Sequence, residues 1–205
     1  MIADQPGPFS AGISRIDRES RTRATTQFRF SARISAIRLA VVEVISPPRV
    51  VQRPERVYLA IRVVTPFRGM LKMRDELLRE VRAFMERSDA EPIEHGFLRL
   101  HVIDMNGPMD IEAGYFTRRP CSGEGRIQPG AMPRGRYATL TYRDHSLRAN
   151  RALIDWARDN GIEFDRHEQP EGDEFACRYE ANLTDPKEEP RKTRWDVELA
   201  FRIVD

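Results

Sequence analysis

The sequence predicts an α+β domain over roughly residues 46–205, an antiparallel sheet with two helices on one face. Three observations predict it. Segments 67–87 and 147–160 carry apolar residues at spacings of three and four, with charge on the opposite side, as helices lying on a sheet do. Short runs rich in Val, Ile, Tyr and Phe surround them. The order is strand, helix, strand, strand, given twice, a repeat of pattern with no residue-level repeat beneath it. Two such βαββ units join into one antiparallel sheet and leave the opposite face, or the seam between units, as a ligand groove.

Residues 1–45 stand apart. Arg15, Arg18, Arg21, Arg23, Arg29, Arg33 and Arg38 face few acids, Ser and Thr are common, and the apolar pattern is weak. Such a segment buries too little to offset its ordering entropy and is expected to be a disordered basic extension. Its Arg- and Ser-rich start also resembles a transit peptide, and Ile34–Val44 has the make-up of a surface-lying membrane segment, but it lacks the apolar core of a secretory signal. No helix-turn-helix pattern is present.

After Pro47-Pro48, Arg56–Val64 reads as the first strand, ended by Thr65-Pro66. In the first helix Met70, Met73, Leu77, Val81 and Phe84 form the buried stripe. Phe97–Ile103 and Ile111–Thr117 follow as strands around an Asn106-Gly107-Pro108 turn. Arg126–Pro129 is a short extra strand and Arg136–Arg143 the next full one. Ser146 is placed to cap the second helix and Gly161 to stop it. Leu153, Trp156 and Ala157, with Leu147 and Asn150, form its inner stripe. Glu174–Asn182 and Arg194–Ile203 close the chain, the last alternating Trp195, Val197, Leu199 and Phe201 against Arg194, Asp196, Glu198 and Arg202.

Composition excludes several classes. The 205 residues carry a net charge of only +2, with basic residues spread along the chain, which argues against direct nucleic-acid binding. No run of 18 apolar residues exists, so no membrane helix is expected. Cys121 and Cys177 lie far apart and read as free thiols in a cytoplasmic protein. His95, His101, His145 and His167 fit no zinc spacing, and no cofactor or metal is expected. Neither a phosphate loop nor a nucleophile elbow is present.

Three runs in order resemble GyrI-like domains, the effector-binding family of AraC-type and multidrug regulators. They are Met132–Tyr142 (MPRGRYATLTY), Leu147–Gly161 (LRANRALIDWARDNG), and Tyr179–Pro186 (YEANLTDP) continued to Trp195-Asp196-Val197-Glu198-Leu199. The resemblance covers roughly residues 50–205. It implies two βαββ units related by a pseudo-two-fold axis, with small, often apolar and cationic, molecules bound between them. Members include sensing halves of transcription activators, gyrase-inhibitory and drug-sequestering proteins, and hydrolases of reactive cyclopropane compounds. Glu180 matches the family's central acidic residue; Trp195 and Glu198 match its final strand. Asn182 stands where a Tyr is usual, and Asp144 and Ser146 where a Gly and often a Tyr are usual.

Alternation puts Arg178, Glu180 and Asn182 on one face of their strand and Phe175, Cys177, Tyr179 and Ala181 on the other. The apolar set should meet the helices, so Glu180 should point into the groove. A carboxylate among ring faces suits a partly dehydrated cation, each face adding ~0.5–2 kcal/mol. The competing reading is an ordinary ion pair to Arg178 or Arg194. Tyr115, Tyr137, Tyr142 and Trp195 are candidate walls, each also a candidate core residue, and Glu198 is either a solvated charge or part of an acidic groove. The leading expectation is a stand-alone binder or sensor of a small organic molecule, without its own DNA-binding module. The alternatives are a hydrolase using Glu180 as general base and an interaction protein with a protein partner, as in gyrase inhibition.

Overall fold

The computed structural model describes residues 43–205. Its strands are β1 (Glu43–Arg53), β2 (Arg56–Pro66), β3 (Phe97–Ile103), β4 (Pro108–Phe116), β5 (Gln128–Met132), β6 (Gly135–Arg143), β7 (Arg166–Gln169), β8 (Gly172–Phe175), β9 (Arg178–Asn182) and β10 (Asp196–Arg202). Helix α1 (Met70–Arg87) follows β2, and α2 (Ser146–Asp159) follows β6. The fold is α+β. The sheet runs β1-β6-β10-β9-β3-β4-β2-β5, every neighbouring pair antiparallel, with β8 attached to β3 and β7 to β8. Among the described residues no helix is long and apolar enough to cross a membrane.

Strand β1 was not foreseen. It runs straight through Pro47-Pro48, which the sequence reading took as a break. It is an edge strand paired only with β6, and its register slips between Ser46 and Arg49, where the prolines sit. Proline has no N–H to give a ladder and is tolerated at edges and bulges. The expected disordered extension, residues 1–45, lies outside the described residues except for Glu43–Ile45, which open β1.

The sheet is curled. Only Pro54-Glu55 separates β1 from β2, yet six strand spacings, roughly 29 Å on a flat sheet, lie between them in the order. Three Cα steps span at most about 11 Å. The link between β5 and β6, Pro133-Arg134, obeys the same constraint. Arg53 pairs with Gly135 and Arg56 with Met132, so the two links form one corner where an antiparallel ribbon passes from one end of the sheet to the other.

Register defines the two faces. Leu98, Glu180 and Leu199 are successive cross-strand partners and share one face; Phe97, Ala181 and Glu198 share the other. Leu98 packs with Met70 and Met73 of α1, and Leu199 with Ala149 and Leu153 of α2, so both helices cover the first face. The second face is the concave one. It holds Tyr58, Phe97, Phe116, Met132, Tyr137, Cys177 and Tyr179, an aromatic core drawn from both ends of the sheet.

The helix ends follow local chemistry in one case and depart from it in the other. Gly161 (φ +64°) closes α2, with its N–H donating to Arg158 O and that of Ile162 to Ala157 O, the paired bonds of a glycine-stopped helix. At the start, His145 rather than Ser146 is the cap residue, and no side chain caps the helix. Leu147, expected on the inner stripe, is 64% exposed.

Candidate ligand site at Glu180

Glu180 of β9 lies on the face of the sheet that the two helices cover, between its cross-strand partners Leu98 and Leu199. Its Oε1 accepts from Ser146 Oγ (2.9 Å) and Asn150 Nδ2 (3.0 Å), and its Oε2 from Tyr142 Oη (3.1 Å). Ser146 and Asn150 are one turn apart on α2, so both reach the same oxygen. Tyr142 comes from β6 beneath the helix. Burial, with the negative charge of Glu180 beside it, pushes the Tyr142 phenol far up, which keeps it a proton donor at neutral pH.

Three neutral groups satisfy a half-buried carboxylate, and no Lys or Arg lies within ion-pair distance of it among the described residues. The simple ion pair with Arg178 or Arg194 is therefore not formed. Arg178 acts one step back: its Nη2 donates to Asn150 Oδ1 (2.8 Å), and its guanidinium lies over the rings of Phe201 (4.3 Å) and Phe175 (4.9 Å). Burial lowers its pKa to about 10 against the pull of Glu180 and Asp173, and it stays charged at neutral pH. Ser146 donates its hydroxyl proton to the Glu180 carboxylate and lies beside Asn150, with no imidazole bonded to it among the described residues.

Of the six residues singled out in the sequence, the structure brings two together, Glu180 and Tyr142. Glu180 faces the helices, opposite to the expectation. Its apolar neighbours Cys177, Tyr179 and Ala181 instead meet the concave aromatic core, because both faces of this sheet are packed. Phe175 does not share their face; the bend at Ala176-Cys177 splits the expected strand, and Phe175 packs on Phe201. Tyr137 is fully buried on the concave side, its hydroxyl donating to Pro133 O (2.6 Å). Glu198 also lies there, paired with Arg53 (2.6 Å), which in turn donates to Tyr179 Oη (2.9 Å). Tyr115 packs beside α1 under Arg82, apart from the residues that bond Glu180. Trp195, just before β10, is buried, and its Nε1 donates to Glu189 O (2.6 Å).

A second polar cluster lines the concave face. Glu112 Oε2 accepts from Tyr58 Oη (2.8 Å) and meets His101 Nε2 at 2.9 Å, and Arg99 Nη1 donates to the same phenol (3.0 Å). Burial pushes the Glu112 carboxyl up, but the bonds from His101 and Tyr58, with the charges of His101 and Arg99, outweigh it and hold it below its ordinary value.

The fold is shared with solved structures. The EcmrR C-terminal domain matches with a TM-score of 0.59 at 16% identity, over 80% of this chain and 99% of that one. An uncharacterized conserved protein from Listeria innocua matches at 0.54 and 10%, over 83% and 97%. SAV2435, in its complex with tetraphenylphosphonium, matches at 0.50 and 9%, over 78% and 94%. No family model matches the chain, and no curated protein matches it in sequence. At these identities the likeness establishes the fold.

Sequence reasoning missed Asn150 as a site residue and misplaced Ser146. Asn150 carried a usable signal: a polar amide on the inner stripe of a helix needs a buried partner. An open depression of about 890 Å³ lies elsewhere, between the end of α2 and β7, lined by Ile154, Arg158, Phe164 and Arg166 among others. Among the described residues no group of His, Cys, Asp and Glu is placed to hold a metal.

Proposed function

We propose that this domain binds a small organic molecule between α1 and α2, with Glu180 as the counter-charge for the ligand's positive group. The observation that carries the reading is the Glu180 carboxylate itself, held by neutral donors and flanked by Leu98 and Leu199. A carboxylate pre-oriented in a partly dry setting attracts a cation more strongly than one in water. Binding opens the cleft, with the ligand taking the place of part of the Ser146–Asn150 contact.

The connectivity supports a two-unit description. β2-α1-β3-β4 and β6-α2-β9-β10 are both βαββ, with sheet orders β2-β4-β3 and β6-β10-β9, and they meet where β3 pairs with β9. A pseudo-two-fold axis then passes between β3 and β9, beside Glu180. SAV2435, similar in fold, takes tetraphenylphosphonium, which supports an organic ligand here. The role is that of a cytoplasmic sensor or sequestering protein of the GyrI-like kind, its binding domain running from residue 46 to 205.

A thermal-shift screen of the full chain against lipophilic cations, neutral aromatics and anionic dyes tests this. A ligand at 100 times its Kd adds ~2.7 kcal/mol of stability, a visible rise in Tm. The reading requires at least one amine-bearing ligand to stabilise wild type and to lose that effect in Glu180→Gln. Equal stabilisation of both proteins would overturn it.

A further inference from the structure

Residues 183–195, between β9 and β10, fold on themselves. At the base, the Leu183 N–H donates to Asp196 O (2.8 Å) and the Asp196 N–H to Thr184 Oγ1 (2.9 Å). Further out, the N–H groups of Glu188 and Glu189 both donate to Asp185 O (3.0 Å each), and Arg191 gives Nε and Nη2 to the two oxygens of Glu189 (2.9 Å each). The buried Trp195 ring donates its Nε1–H to Glu189 O (2.6 Å), so the indole is joined to the loop. Close ends and internal bonds make this segment an Ω-loop, a compact unit of its own.

Among the described residues, the hydrogen bonds and ion pairs give this loop one tie beyond its base. Lys192 donates to Asp75 Oδ2 of α1, and Asp75 Oδ1 accepts from Arg74. Burial pushes the Asp75 carboxyl up, but the bonds from Lys192 and Arg74 outweigh it and hold it below its ordinary value, so the pair stays ionised at neutral pH. The Lys192 side chain is 54% exposed and that of Asp75 32%. An ion pair so open to water is weak and is screened by salt, which suits a fastening that must come undone.

Register sets the loop beside Glu180. Asn182, the last residue of β9, is two residues past Glu180 and on the same face of the sheet. Val197 pairs with Asn182 on one side and with Tyr142 on the other, and Tyr142 donates to Glu180. The loop therefore springs from the next row of the sheet, on the face that carries both helices. Met70 and Met73 of α1 pack on Leu98, the β3 partner of Glu180, and Ser146 and Asn150 of α2 bond the carboxylate itself.

We propose that residues 183–195 are a hinged flap that closes the end of the Glu180 site, with Lys192–Asp75 as its clasp and the bonds between Leu183, Thr184 and Asp196 as its hinge. This role rests on Glu180 being the ligand's counter-charge. Ligands enter when the clasp opens, and Trp195, joined to the flap through Glu189, is uncovered in the same movement.

Trp195 also reports the movement, because the chain has only one other tryptophan, Trp156. In full-length protein carrying Trp156→Phe, Lys192→Ala should make Trp195 more open to acrylamide quenching, and 1 M salt should do the same only while Lys192 is present. Hydrogen exchange of residues 183–195 in the otherwise wild-type chain should rise with Lys192→Ala and with Asp75→Asn, which keeps the test independent of Trp156→Phe. Association of 2-phenylethylamine, followed by stopped flow, should quicken roughly two- to five-fold in Lys192→Ala, the worth of one exposed ion pair. Unchanged quenching and exchange would overturn the clasp. If the loop loosens but the amine, still dependent on Glu180, associates no faster, the flap is wrong and the binding role stands. If the amine binds neither protein, both are wrong.

Discussion

The hydroxyl of Ser146 lies 2.9 Å from Glu180 and donates to it, although Ser146 opens α2, where a serine ordinarily serves the helix backbone. The helix start is instead strained: Asp144 (φ +58°) and His145 (φ +52°) are consecutive non-glycine residues in the left-handed region. Glu180 ties the first turn of α2 to β9. Ser146→Ala should therefore cost about 1 kcal/mol in urea unfolding, and Asp144→Gly should recover stability by relieving the turn. A stability gain from Ser146→Ala would contradict the tether.

The concave cluster makes a separate prediction. Tyr58 is buried and bonds both Glu112 and Arg99. Tyr58→Phe keeps the ring contacts with Phe97 and Phe116 but leaves two polar groups short of a partner. The expected loss is about 1–3 kcal/mol in denaturant unfolding. An unchanged midpoint would mean that water replaces the hydroxyl.

Acid should act through Glu112. Its folded pKa is held below its ordinary value, so its contribution is present above the usual carboxylate range, near ~4.3, and is lost as pH falls through the folded value. Stability measured by urea unfolding from neutral pH into that range should fall more steeply in wild type than in Glu112→Gln. Parallel curves would remove Glu112 from the account.

Close approach at Gly114 fixes the pairing of β2 with β4. A Cβ there would sit 2.0 Å from Leu59 O and 2.5 Å from Ala60 Cβ, neither of which yields without moving backbone. Gly114→Ala is expected to cost at least about 2 kcal/mol, read as a lower Tm. Gly125→Ala meets nothing within 4 Å, although its φ of +60° adds strain, and serves as the milder comparison.

Both helices, and most strands within a few residues, were legible because period and turn chemistry are local. Gly161 stops α2 where its position said it would. What alternation cannot tell is which face a helix covers when both faces are packed. That is why Glu180 was placed opposite the helices and why Tyr137 and Glu198 were grouped with it. The Pro47-Pro48 break failed for a tertiary reason: a proline pair is tolerated on an edge strand, and edges are not marked in sequence. The partners of Glu180 were half legible. Ser146 was read as a cap, and the reach of Arg178 through Asn150 depends on a contact between α2 and β9 that no spacing encodes.

The most direct test of the central claim is the affinity of 2-phenylethylamine for the full chain and for Glu180→Gln, measured by calorimetric titration. With Glu180 as the anchor, wild type binds and the variant loses about ten-fold or more in affinity, since a charge-assisted contact is removed. Equal affinities, or no binding to wild type, would contradict Glu180 as the ligand's anchor.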